Sequence, residues 1–216
     1  NPVLKFARHE LAATEKQIAT LRGEMENLTG TARRLSAQEK LRHLNAQHQD
    51  IALRLEAVAR ASTLAKTRHE ATHQLFYNSG LMKRGKPWPF WYSEGLATNF
   101  EADDGQGRAG PTVVNQNRLK SLREAVAEGR AMRLSDLLTY EPAAGDSVEH
   151  VVAAYSHAWA LVHYLWNRQP KEMAAFMADV AAKTPDAAGF TTTFTRHFGE
   201  DLTGIERQAT GFVDGL

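Results

Sequence analysis

Apolar residues recur every seven positions at the start of this chain. Leu4, Leu11, Ile18, Met25 and Ala32 form one series, and Leu21, Leu28 and Leu35 the interleaved one, with charged residues between them. That spacing predicts helix with a coiled-coil-like seam. Thr29-Gly30-Thr31 interrupts it weakly, since one glycine costs only about 1 kcal/mol inside a helix. Ser36-Ala37-Gln38-Glu39 then has the form of a capping box, a start signal for a second helix. Leu41, Leu44, Ile51, Leu55 and Val58 continue the stripe. The pattern predicts an antiparallel helical hairpin with its turn within 29–36; one long bent helix is the alternative.

No breaker lies between Glu39 and Asn78, so the second helix should run into the segment bearing His69 and His73. The residues 80–89, with two prolines and a basic Lys83-Arg84-Gly85-Lys86 run, read as a loop. A short helix is expected over 90–102 and a second loop over 103–111. That loop is no phosphate cradle, because no Gly-Lys-Ser/Thr leads into a helix. A helix over 118–128, a connection over 133–148, a strongly apolar core helix over 149–167, and helices over 171–183 and 202–214 complete the chain. Only 112–114 and 190–194 have strand character. The fold class is therefore mainly α, with little or no sheet.

Composition narrows what such a chain can do. With 43% hydrophobic residues and 26 basic against 25 acidic side chains in 216 residues, it can bury a core and is not disordered. The near-neutral balance argues against a nucleic-acid partner, which calls for a basic stripe. No apolar run is long enough to span a bilayer. The chain opens Asn1-Pro2 rather than with Met and shows no signal peptide, so a processed or truncated product is expected. Cysteine is absent, which excludes disulfides and thiolate chemistry and leaves His, carboxylates and hydroxyls to build any site.

The chemistry concentrates in His69-Glu70-Ala71-Thr72-His73. Residues four apart share one helix face, so two imidazoles can grip one ion, and the glutamate between them can reach water at that ion. Catalytic zinc usually takes three protein ligands and keeps a fourth position open. Glu94, within Trp91-Tyr92-Ser93-Glu94-Gly95-Leu96-Ala97, offers the third. A carboxylate among such apolar neighbours is costly unless paired, and a cation explains its position. A pair of unrelated histidines and a surface glutamate is the plainer alternative.

The segments His69–His73 and Pro89-Phe90-Trp91-Tyr92-Ser93-Glu94-Gly95-Leu96-Ala97-Thr98-Asn99-Phe100-Glu101 resemble the gluzincin zinc metallopeptidases. Within them, the chain is most similar to bacterial peptidase MA-like proteins with a Ser-Glu-Gly-Leu-Ala signature. The resemblance extends through Asn115-Gln116-Asn117-Arg118-Leu119 to Phe198-Gly199-Glu200-Asp201-Leu202, roughly residues 60–216. It implies a gluzincin-like metallopeptidase domain over 61–216, which leaves the heptad-bearing residues 1–60 as a helical hairpin appendage. His69, His73 and Glu94 would bind zinc, and Glu70 would act as general base in hydrolysis of peptide bonds. Tyr155 stands where such proteins place an oxyanion donor, and His157 is a second, less well-directed candidate. His150 and His163 are expected in or beside the core.

Metal-bound imidazoles want an acceptor on their other nitrogen. Thr98, Asn99 and Glu101 are candidates for it. Arg68 is expected in a surface ion pair, and the 83–86 loop either rims the cleft or is simply solvated. The resemblance fails in one respect: well-known gluzincins carry a β-sheet before the metal helix, whose edge strand holds extended substrate, and here a helical hairpin stands in its place. A zinc-bearing interaction module, or pseudo-peptidase, whose hairpin docks a protein partner is therefore the alternative function. Residues 1–60 could equally mediate homodimerisation. The compartment is open, with the resemblance leaning towards export.

Overall fold

The heptads of the first sixty residues do pair as a hairpin. The computed structural model describes residues 2–183 and 185–216, with Asn1 and Thr184 outside that set. Helix α1 spans Pro2–Glu26 and α2 Thr31–Asn78. Ile18 and Leu21 of α1 meet Ala37 and Leu44 of α2 in a small core flanked by Met25, Leu28 and Leu41. The single bent helix is thereby excluded. The chain reverses over 27–30, at the early edge of the expected interval. Gly30 adopts φ +95°, a left-handed conformation that favours glycine. Arg34 then closes the turn by donating from Nε to the Leu28 carbonyl at 2.9 Å. Because the reversal is complete at Gly30, Ser36 falls inside α2 and caps nothing.

The chain divides into two compact units, Asn1–Leu64 and Ala65–Leu216. The second contains the end of α2 and seven further helices among the described residues: α3 (Phe90–Thr98), α4 (Gln116–Ala127), α5 (Leu134–Thr139), α6 (Val148–Arg168), α7 (Pro170–Lys183), α8 (Ala187–Phe198) and α9 (Leu202–Asp214). Among the described residues there is no strand, only an isolated bridge between Asp103 and Ala109. The fold is mainly α.

Helix α3 sits at the centre of this unit. Seven of its nine residues are buried, and only Ser93 and Glu94 are partly open. One side meets an aromatic cluster, with Trp91 5.8 Å from Phe176 and 5.4 Å from Phe194 between ring centroids. The other side presses on α6 at Gly95. A Cβ there would stand 2.7 Å from the Ala158 carbonyl oxygen and 2.7 Å from Val162 Cγ2, so only glycine permits this approach. Asn99 locks the crossing by donating from Nδ2 to the carbonyls of Gly95 at 2.7 Å and Trp159 at 3.1 Å.

Three local expectations are corrected. Residues 190–194 lie in α8, not in a strand: Phe190 and Phe194, four apart, bury one helical face, while Thr192 and Thr193 donate to the carbonyls of Ala188 and Gly189. Residues 112–114 form an unpaired turn. The connection 133–148 contains α5, whose Leu134, Leu137 and Leu138 are buried and whose first free amide, on Leu134, is met by the Glu206 carboxylate at 2.7 Å. That partner lies seventy-two residues away, which is why local sequence does not announce the helix.

Candidate metal centre

Helix α2 presents His69 and His73 on one face, four residues apart, and α3 presents Glu94 opposite them. Among the described residues these three bring one ligand atom each to within 4.8 Å of the others. His69 Nε2 stands 3.0 Å from Glu94 Oε2 and 3.2 Å from His73 Nε2, and His73 Nε2 is 3.4 Å from Glu94 Oε1. Zinc bonded at 2.0–2.1 Å to tetrahedral ligands sets them about 3.3 Å apart. The two imidazole nitrogens have that spacing, and each meets its own oxygen of the Glu94 carboxylate at a similar distance.

The donor chemistry fits a cation as well as the spacing does. His69 Nδ1 lies 3.0 Å from Glu101 Oε1, and only a protonated nitrogen can donate to a carboxylate. A neutral His69 therefore directs the lone pair of Nε2 at Glu94 and at the second imidazole. That arrangement calls for a proton or a metal between the three groups. Without metal, a proton supplies the charge. Burial works against a charged His69, but the hydrogen bonds and charges of Glu101 and Glu94 outweigh it and raise its pKa to about 9. Burial likewise opposes charge on Glu94, yet His69 and His73 draw its pKa down to about 2.

Of the three candidates to support the ligands, Glu101 alone touches one. Its carboxylate is gripped from behind by Arg118, which donates from Nη2 to Oε1 at 2.7 Å and from Nε to Oε2 at 2.9 Å. Asn115 adds a third bond to Oε2 at 3.0 Å and, through its own carbonyl, caps α4. Against the cost of burial, His69 and Arg118 hold the Glu101 carboxyl below the usual carboxylate range. Thr98 and Asn99 instead bond helix carbonyls, and Asn99 Oδ1 also meets the buried His163 at 3.3 Å. On the other imidazole, Ser93 Oγ lies 3.5 Å from His73 Nδ1. Arg118 and Asn115 had no assigned role from sequence. They lie in the Asn115-Gln116-Asn117-Arg118-Leu119 segment, but nothing in its spacing ties them to Glu101.

The remaining candidates separate clearly. Glu70 is exposed on α2 beside the histidine face and is not one of the clustered ligands. Tyr155, half-buried on α6, has its ring 6.4 Å from that of His69 and 4.9 Å from Phe90, with the Arg118 guanidinium 5.1 Å over its face. Burial and the nearby Glu94 push its pKa up to about 12. His157 points elsewhere. Its Nδ1 donates to the Ala153 carbonyl at 2.8 Å, its Nε2 accepts from the Met132 amide at 3.2 Å, and the ring lines an apolar cavity of about 360 Å³ between α4, α5, α6 and α9. His163 is buried, stacked on Trp159, and His150 packs on Tyr140. Arg68 pairs with Asp103 at 2.5 Å. The basic loop Lys83-Arg84-Gly85-Lys86 is exposed throughout, and Arg84 turns back to Gln74 and Asn78 of α2.

Neither the curated proteins nor the solved structures provide a match to this chain. Residues 63–187 match a family described as "Protein of unknown function (DUF1570)". The matched segment covers more than half of the chain and carries His69, Glu70, His73, Glu94, Glu101, Arg118 and Tyr155, so the chain belongs to the DUF1570 family.

Proposed function

We propose that this protein is a zinc-dependent hydrolase of peptide bonds, a metallopeptidase of gluzincin type. The observation that carries the reading is the convergence of two Nε2 atoms and one carboxylate from α2 and α3 within 4.8 Å of one another. Zinc held by His69, His73 and Glu94 would polarise a carbonyl and lower the pKa of a water to about 7. Glu70 accepts a proton from the attacking water and passes it to the leaving amine as the carbon–nitrogen bond breaks. Its exposure leaves it open to both partners. Tyr155 donates its hydroxyl to the carbonyl oxygen as negative charge grows there. With a pKa near 12, that hydroxyl keeps its proton at neutral pH.

The expected result is about one zinc per purified chain, lost in His69→Ala and in Glu94→Ala. Glu70→Gln should keep the metal and lose turnover in a peptide-library screen by at least about a hundredfold. Full turnover in that variant would remove Glu70 as the base.

One observation favours a second reading, a zinc-bearing interaction module or pseudo-peptidase. Among the described residues no strand accompanies α2, so none is present to hold an extended peptide by main-chain pairing. A chain that binds zinc yet cleaves nothing across a broad peptide library would support it.

A further inference from the structure

Among the described residues, Arg118 touches both walls of the proposed metal site. On one side its planar fork makes two bonds to Glu101, whose Oε1 is also the partner of His69 Nδ1. On the other, its guanidinium lies 5.1 Å over the ring of Tyr155. It reaches both from α4, whose first turn is anchored by Asn115, and Asn115 also bonds Glu101. The side chain is only 21% exposed, so it is fixed by protein contacts rather than waving in solvent.

This arrangement is more specific than charge balance requires. A lysine could neutralise Glu101, but an ammonium on a flexible stem presents no planar pair of N–H groups and does not stack on an aromatic face in the same way. The fork determines the plane of the Glu101 carboxylate. That plane sets the direction from which Oε1 meets Nδ1, and hence the rotation of the His69 ring and the aim of Nε2. The same group, 5.1 Å over the Tyr155 ring, limits where that ring can sit.

We infer that Arg118 is a positioning residue of the metal centre, acting on His69 through Glu101 and on Tyr155 through its face. The inference rests on the proposed zinc site and adds a residue that neither binds the metal nor takes part in proton transfer.

Zinc affinity tests it without any need for a substrate. The full chain, Arg118→Lys, Glu101→Gln and the double variant are each titrated with zinc against a chromophoric chelator. The absorption of bound Co²⁺ is recorded in parallel as a signature of ligand geometry. Glu101→Gln should weaken zinc by about 10–100-fold. Arg118→Lys, which keeps the charge, should weaken it on the order of tenfold and shift the Co²⁺ bands. The double variant should be no weaker than Glu101→Gln within threefold, because both changes break one linkage. Should lysine unfold the chain, Arg118→Gln replaces it, with the same expected non-additivity.

Unchanged affinity and an unchanged Co²⁺ spectrum in folded Arg118→Lys would overturn the inference, as would losses that simply multiply. Failure of the unaltered chain to bind zinc, or full affinity in His69→Ala, would instead overturn the metal reading itself, and this inference with it.

Discussion

His69 shows how strongly a single side chain can be committed by its neighbours. It stands between Glu101 on Nδ1 and Glu94 on Nε2, both at 3.0 Å. In the metal-free chain this makes stability depend on pH in a determined direction. The His69 pKa is raised from 6.5 to about 9, so its stabilising contribution is complete below 6.5 and is lost as pH rises through 9. The Glu94 pKa is lowered from 4.5 to about 2, so its contribution is complete above 4.5 and is lost as pH falls through 2. Both are present together between about 4.5 and 6.5. The thermal midpoint of the chelator-treated chain should therefore decline between pH 6.5 and 9, and this decline should be much smaller in His69→Gln. Zinc competes with the proton on Nε2, so its affinity should rise over the same interval. An identical decline in both chains would show that the pair of carboxylates does not hold charge on His69.

At the scale of elements, the Ser93-Glu94-Gly95-Leu96-Ala97 run makes sense as a packing device around a candidate ligand. Leu96 and Ala97 are wholly buried, Gly95 lets α3 touch the α6 backbone, and Glu94 emerges at the one partly open strip. Replacing a mid-helix glycine by alanine ordinarily stabilises by about 1 kcal/mol. Here the new Cβ would meet the Ala158 carbonyl oxygen at 2.7 Å, a backbone atom that cannot rotate away. Steric strain of about 1–3 kcal/mol should win. Gly95→Ala should lower the thermal midpoint and, by displacing α3, weaken zinc measurably in the same chelator titration; a raised midpoint with unchanged zinc affinity would contradict this packing. The triad and the general location of its helices were readable from sequence because helix periodicity places residues four apart together. The hairpin turn was only approximately readable, since Ser36 looks like a cap while Gly30 makes the reversal. Helix α8 is not legible in the sequence because Thr and Phe favour strands by propensity, whereas burial of Phe190 and Phe194 on one face decides for helix. The Arg118–Glu101 bond was beyond reach, because it joins residues seventeen apart across an irregular loop that no periodicity describes.

At the scale of the molecule, the candidate site lies within one of the two compact units. Ala65–Leu216 holds every candidate ligand and the side chains that support them, and a core in which α9 contributes Ile205, Ala209 and Val213. The family match begins at residue 63 and ends at 187, before α9, so the last helix supplies core outside the matched segment. The hairpin has its own small core of Ile18, Leu21, Ala37 and Leu44, with Phe6, Leu35 and Leu53 exposed. Exposed leucines on heptad helices suit association through that unit. Comparing the full chain with one that begins at residue 61 separates the two roles. The shortened chain should fold with a cooperative thermal transition and keep about one zinc, because α3, α6 and α9 bury their faces against one another. Sedimentation over a range of concentrations should show any self-association of the full chain disappearing with the hairpin. Among the described residues no helix is long and apolar enough to cross a membrane. Loss of zinc from a shortened chain that still folds would mean that the hairpin takes part in shaping the site, and that the two units do not have separate roles.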